Sequence, residues 1–265
     1  MRSGPAFTPF AEAWGAAFER RLASWWHLLH FGSLALVVVL SPSTYRHANR
    51  QTIAGHLHRS TWEVLPWFTA LSALLSLVLI HIVLLSAQSY GLSKYALDMV
   101  VRVLVLELIP LSAALFVALR SGLVAVVAPG SALLLTPAAL SATSLARLQQ
   151  DLVPRLLAIV FSVLALAACS SAIALVQAYL MVHGLSLWGL TGFTRAVGHV
   201  FTLNVTLGLG LKTLLFSLAV ALVPMAAALE AQAQHLDRYA LQPGAVRLFL
   251  VLLLIEASSL ALKYF

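Results

Sequence analysis

Five long apolar runs, separated by polar segments, dominate the pattern of the chain. Each run is close to the roughly 20 residues that a helix needs to cross the hydrocarbon core of a bilayer. The pattern therefore predicts an all-α, polytopic membrane protein whose spans form one domain over residues 64–265. The predicted spans are residues 65–87, 95–117, 156–181, 201–228 and 245–263.

Residues 1–63 precede the first span and show a different pattern. Apolar side chains recur at helical spacing among charged neighbours, which is typical of a helix lying in the membrane interface. The apolar run at residues 31–40 is too short to cross the bilayer and predicts a half-inserted elbow helix. The interfacial positions are Phe10, Trp14, Phe18, Leu22, Trp25 and Leu29.

Two of the connecting segments are long. Residues 119–154 contain the helix breakers Pro129, Gly130 and Pro137, and predict one or two short helices on an aqueous face. The segment between the third and fourth spans contains glycine and tryptophan and extends to His199, and we predict a loop there.

Composition supports a membrane protein and excludes several other classes. The chain is 61% hydrophobic and 9% charged, with a mean hydropathy of +0.96, so an ordinary soluble domain is excluded. The formal charge of +7 comes mainly from loops beside the spans, which favours anionic lipid head groups over nucleic acid. Nearly all arginines fall on one side of the predicted topology, so the positive-inside rule places the amino terminus in the cytoplasm. Cys169 is the one cysteine, which excludes an internal disulfide.

The second span carries an unusual combination of residues in the stretch from Leu104 to Gly130. Glu107 is a carboxylate inside an apolar span, where it costs a few kcal/mol unless it faces protein or water. Pro110 follows three residues later, and we expect it to bend or break the helix beside the carboxylate. The sequence therefore indicates that function is concentrated in this stretch.

Charged groups in the other spans fall at a similar depth. A rise of about 1.5 Å per residue predicts that Glu107 and Lys212 pair inside the bundle with Glu256 nearby. Two interpretations stay open: an ion pair that only fixes helix packing, and a proton relay. The predicted charged layer consists of His81, Glu107, Lys212 and Glu256.

The chain lacks the motifs of an enzyme. It has no phosphate-binding loop, no GxSxG and no HExxH, so the chain cannot hydrolyse ATP itself and any energy source must be another subunit. We expect no cofactor. His47, His56 and His58 lie close together in the sequence, but no carboxylate or cysteine accompanies them at ligand spacing, so we predict a head-group contact and no metal site.

The motif residues resemble those of a known family, the MlaE/YrbE-type permease subunits of MCE-associated ABC lipid transporters. The resemblance covers about residues 51–265 and is centred on the family's R-E-L-G-P, G-R-x-G and A-E-[LI]-G elements. The matching residues are Glu107, Pro110, Arg120, Gly122, Gly130, Pro154, Arg155, Lys212, Phe216, Arg247 and Glu256, with Gln88 and Tyr90 at the end of the first span.

This resemblance implies a permease that forms a homodimer or heterodimer and passes phospholipid, or a similar hydrophobic molecule, between membranes. Its implied partners are a cytoplasmic ABC ATPase and a periplasmic MCE protein. We predict that ATPase coupling uses Arg120, Gly122, Ala128, Pro129, Gly130, Arg147 and Arg155. We predict that a lipid pocket bounded by the first, second and fifth spans is lined by Gln88, Tyr90, Leu74, Val78 and Leu85.

Three departures from the family pattern leave an alternative open. Leu106 replaces the arginine before the glutamate, Ile109 replaces a glycine, and no acidic residue occurs from Ser121 to Gln150. We therefore expect a divergent permease, and the alternative is a non-transporting scaffold that anchors partner subunits. A proton-coupled secondary transporter is a third interpretation, but no inverted repeat supports it.

Overall fold

A computed structural model of the chain describes residues 33, 65–124, 153–233 and 241–264. The interfacial and elbow helices predicted within residues 1–63 therefore lie outside the described residues, except that Ser33 is helical. The breaker-rich part of the connecting segment, residues 125–152, also lies outside them.

The described residues are helical and contain no strand, which confirms the all-α prediction. Five helical stretches are long and apolar enough to cross a membrane, as the hydrophobic pattern predicted. The second span joins α2, a π-helix and α3 without a break. The elements are α1 (Leu65–Ser89), α2 (Ser93–Val100), the π-helix Val101–Leu108, α3 (Ile109–Val124), α4 (Val153–His183), a 3₁₀ turn (Leu187–Gly189), α5 (Leu190–Val200), α6 (Leu203–Ala233) and α7 (Leu241–Tyr264).

Glycines with positive φ end two of the spans. Gly91 follows α1 with a φ of 70°, and Gly184 follows α4 with a φ of 63°. This left-handed conformation strains residues that carry a Cβ, and it closes a helix by bonding its last carbonyls. Accordingly, the Gly184 N–H donates to the Leu180 carbonyl over 3.0 Å. Both turns lie at one end of the bundle, which we call the Gly91 end.

The prediction of a loop up to His199 was wrong. The segment contains the 3₁₀ turn and α5, whose side chains Phe193 and Val200 are buried against Val100 and Val101 of the second span. Phe193, Val197 and Val200 recur at helical spacing, so burial of one apolar face stabilises α5 despite its glycines and threonines.

The second span lies at the centre of the bundle. In its most apolar stretch 56% of the residues are buried, against 11% in the corresponding stretch of the fifth span. Around it, α6 packs against α3, α4 and α7, while α1 packs against α4. Two apolar clusters result, one around Phe216 and Ala113 and the other around Ile80 and Val105. Glu107 lies in the sequence among the second-span residues of the Ile80 cluster, which extend to Ile109, and those of the other cluster begin at Ala113.

Candidate functional site

The helix changes geometry beside Glu107. Residues Val101–Leu108 form a π-helix, and the Ile109 N–H bonds to the Leu104 carbonyl five residues back. Pro110 has no N–H, so it cannot donate the usual bond to the carbonyl of Leu106. The span nevertheless continues through the proline without a break. Its turns widen before Pro110, as occurs at many functional sites in helices.

Lys212 of α6 is the centre of the charged site. It is only 4% exposed, and its Nζ donates hydrogen bonds to the carboxylate of Glu107 and, over 2.9 Å, to that of Glu256. The same Nζ lies 3.4 Å from the Leu106 carbonyl, to which Pro110 cannot donate a hydrogen bond. An ammonium group has three protons, so these three acceptors match its full donor capacity.

Lys263 of α7 is a fourth member of the site. Its Nζ lies 3.0 Å from the Glu107 oxygen that Lys212 does not bind. Two carboxylates and two ammonium groups therefore meet with no net charge, and each charge lowers the cost of placing its neighbours in hydrocarbon. We call Glu107, Lys212, Glu256 and Lys263 the charged layer from here on.

Sequence reasoning missed Lys263 because the residue stands at the end of the last span, where a lysine ordinarily reaches outward to the head groups. A signal was available. Lys263 follows Glu256 by seven residues, or about two helical turns, so both side chains lie on one face of α7. Glu107 draws both of its cations from other helices, Lys212 from α6 and Lys263 from α7.

A cavity of about 360 Å³ opens beside the charged layer, between the second, fourth and fifth spans. This size lies at the small end of ligand pockets in proteins. Its polar lining comprises Glu107, Lys212, Lys263, Asn204, Ser258 and Ser259. Its apolar lining comprises Leu106, Val205, Leu209, Leu211, Leu215, Ile255 and Leu262, together with the backbone of Gly208. The cavity therefore has a charged and hydrogen-bonding part beside an apolar wall.

The residues predicted to form the lipid pocket do not line this cavity. The face of α1 that packs inward carries Phe68, Ser72, Ser76 and Ile80, and the opposite face points away from the bundle. On that outer face, Leu74 is 68% exposed and Tyr90 at the helix end is 80% exposed. Exposed with them are Val78, Leu85 and Gln88, and also His81, which the sequence had placed in the charged layer.

The predicted coupling residues are only partly described. Arg120 is exposed near the end of the second span, Gly122 lies within α3, and Arg155 is half-buried at the start of α4. Ala128, Pro129, Gly130 and Arg147 lie outside the described residues. Among the residues described, no group of three side chains is placed to hold a metal ion, and His47, His56 and His58 are not among them.

Comparison with known protein families gives one match. A family model described as "Permease MlaE" matches residues 53–261, which is most of the chain and includes the whole charged layer except Lys263. The chain belongs to the MlaE permease family. It is a multi-pass membrane permease of a lipid-transport ABC system that works with partner subunits. No curated protein and no solved structure matches the chain.

Proposed function

We propose that this MlaE-family chain moves phospholipid, or a similar amphiphile, between bacterial membranes. It acts as one of two permease copies in the inner membrane, with its amino terminus in the cytoplasm. A cytoplasmic ABC ATPase supplies the energy, and a periplasmic MCE protein passes the lipid on. In this arrangement the Gly91 end of the bundle faces the periplasm.

The cavity beside the charged layer is the observation that carries the proposal. Its apolar wall suits acyl chains, and its polar lining suits a head group. A soluble hydrophilic substrate would leave the leucine-rich wall without a complementary surface. A purely apolar substrate would leave the polar part of the lining, which includes Lys263 and Asn204, without a complementary group.

The charged layer provides the two-state element that transport requires. It links the second, fourth and fifth spans through ion pairs that have specific geometry, so the three helices are held in a defined arrangement. Closure of the ATPase would press on residues 119–154 and tilt the second and third spans. The ion pairs would then rearrange and the cavity would narrow, which displaces the lipid.

Copurification tests the partners. The tagged protein is purified in mild detergent, and mass spectrometry identifies the proteins and lipids bound to it. Recovery of an ABC ATPase, an MCE protein and phospholipid supports the proposal. Recovery of the chain without ATPase or lipid contradicts it.

A transport assay tests the role of the charged layer. The purified complex is reconstituted in vesicles, and transfer of a fluorescent phospholipid is followed with Glu107→Ala, Lys212→Ala and, as control, Arg195→Ala, which removes an exposed cation outside the layer. We expect the first two variants to reduce transport in complexes that assemble normally, and the control to leave it unchanged. Normal transport by both layer variants would contradict this role.

The scaffold alternative rests on one sequence observation. The segment from Ser121 to Gln150 has no acidic residue, whereas the resembling family has a carboxylate in its A-E-[LI]-G element. If the chain only anchors partners, the charged-layer variants should assemble less well. The complexes that do form should still transport lipid normally. Stimulation of the ATPase by this permease alone is measured beside stimulation by an orthodox family member. Comparable stimulation indicates a coupled subunit, and absence of stimulation indicates a scaffold.

A further inference from the structure

The two lysines of the charged layer differ in how far their hydrogen-bonding capacity is used. Lys212 is enclosed, with its side chain 3% exposed, and has three acceptors around its three protons. Lys263 has a side chain that is 23% exposed, and within the described part of the chain its acceptor is one Glu107 oxygen. Lys263 therefore retains two N–H donors for another partner.

Lys263 is one of the residues that line the cavity, so its ammonium group is available beside the cavity. Asn204 and Ser259 line the same cavity and offer further hydrogen-bonding groups, whereas the Ser258 hydroxyl donates to the Ile255 carbonyl. Phosphate oxygens accept several hydrogen bonds at once, and a lysine ammonium is a common partner for them. The apolar wall continues from this polar part through Leu209 and Leu211, so a ligand with a phosphate and a hydrocarbon part fits both.

We propose that Lys263 is the anion-binding residue of the cavity, and that its ammonium exchanges the Glu107 carboxylate for the phosphate group of an amphiphile. Lys212 stays bound to its three acceptors and holds the layer together during this exchange. The inference rests on the proposed function in taking the ligand to be a lipid. The cavity volume suits a head group and the first part of its acyl chains, with the remainder extending into the bilayer.

Competition between Glu107 and the ligand gives this proposal a distinctive consequence. The Glu107 oxygen 3.0 Å from Lys263 occupies the place that a phosphate oxygen would take. Removal of the negative charge at Glu107 should therefore strengthen anion binding, whereas removal of the Lys263 charge should weaken it. A residue that only stabilises the fold would not produce opposite changes at the two positions.

Binding is measured with two lipids that differ only in the phosphate: a phosphatidic acid and the diacylglycerol with the same acyl chains. The purified full-length protein in detergent is titrated with each lipid and analysed by native mass spectrometry. We expect the wild-type protein to prefer the phosphatidic acid by about tenfold, the scale of hydrogen bonds to charged groups. Lys263→Met should reduce the preference to about twofold or less, and Lys263→Arg should retain it.

Glu107→Gln keeps a hydrogen-bonding side chain and should raise the affinity for phosphatidic acid severalfold. Arg195→Met, which removes an exposed cation of α5, is the matched control and should change neither lipid's affinity. If Lys263→Met does not yield folded protein, Lys263→Gln takes its place and is expected to lose the preference in the same way. An unchanged preference in folded Lys263→Met or Lys263→Gln overturns the inference.

Inorganic phosphate distinguishes two sources of the anion. If millimolar phosphate displaces phosphatidic acid from the wild-type protein but not from Lys263→Met, the site takes the free anion as well as the head group. If phosphate has no effect while the lipid preference depends on Lys263, the site is specific for a head group. Both outcomes support anion binding by Lys263.

Transport without Lys263-dependent binding would refute only this inference, and Lys263-dependent binding without transport would refute only the proposed function.

Discussion

Replacement of Lys212 by methionine removes the central charge of the layer and keeps a side chain of similar length. Glu107 would retain its contact with Lys263 at 3.0 Å. Glu256 would lose its cation, since its ion pair within the described residues is with Lys212. The Leu106 carbonyl would lose its side-chain donor as well. The variant therefore leaves one carboxylate uncompensated between packed helices.

The expected loss follows from the burial of the partners. Removal of one member of a buried ion pair costs about 3–5 kcal/mol. Glu107 and Glu256 are each 18% exposed, so solvent compensates part of the loss. We therefore expect Lys212→Met to lower the free energy of unfolding by about 2–4 kcal/mol, which corresponds to about 5–15 °C in Tm for a domain of this size.

Thermal unfolding of the purified protein in detergent, followed by intrinsic fluorescence, measures this change. The double variant Lys212→Met with Glu256→Gln removes the uncompensated carboxylate, and we expect it to recover more than half of the lost stability. Arg195→Met serves as a control for loss of an exposed cation. A Tm for Lys212→Met within about 2 °C of the wild type, or a double variant less stable than the single one, would refute the account of a coupled charge network.

Four further substitutions test other parts of the structure. Pro110→Ala restores an N–H, so we expect exchange protection of the π-helix to rise in hydrogen-exchange mass spectrometry, with an unchanged or higher Tm and slower lipid transfer; a lower Tm would contradict this. Gly91→Ala and Gly184→Ala place a Cβ on residues with positive φ but meet no atom within 4 Å, so each should cost about 1 kcal/mol through the backbone alone, and an unchanged Tm would show relaxation of the turn. Gln177→Leu removes the hydrogen bonds that link Gln177 to Ser76 and to the Ala73 carbonyl across α1 and α4, and should cost about 1 kcal/mol in thermal unfolding; an unchanged Tm would contradict this.

The spans could be predicted because lipid imposes one simple requirement on each of them. A run of about 20 apolar residues is sufficient to identify a crossing helix, and the five predicted runs correspond to the observed ones. The helix α5 did not meet that requirement, since it is short and contains Gly192 and Gly198. Its signal was the helical spacing of Phe193 and Val200, which was outweighed by the glycines.

Depth along a span could also be predicted, whereas the direction of a side chain could not. Counting residues brought Glu107, Lys212 and Glu256 to one level, and the structure places the three in contact. The same count brought in His81, which is exposed on the outer face of α1. In a membrane helix every face is apolar, so the 3.6-residue pattern that orients a soluble helix is weak. The contacts of a charged residue with other spans therefore required the structure.

The π-helix, the charged layer and the cavity are parts of one arrangement. Pro110 cannot donate a hydrogen bond to the Leu106 carbonyl. Lys212 lies within hydrogen-bond distance of that carbonyl and also pairs with two carboxylates. An apolar core would hold three helices together at less cost, because buried ion pairs are often no more stable than well-packed apolar residues. Lys263, the more exposed of the two cations, pairs with Glu107 at the cavity. With the exchange that we propose for Lys263, the layer combines a fixed pair, which keeps the helices in register, with an exchangeable pair, which makes the cavity responsive to a ligand.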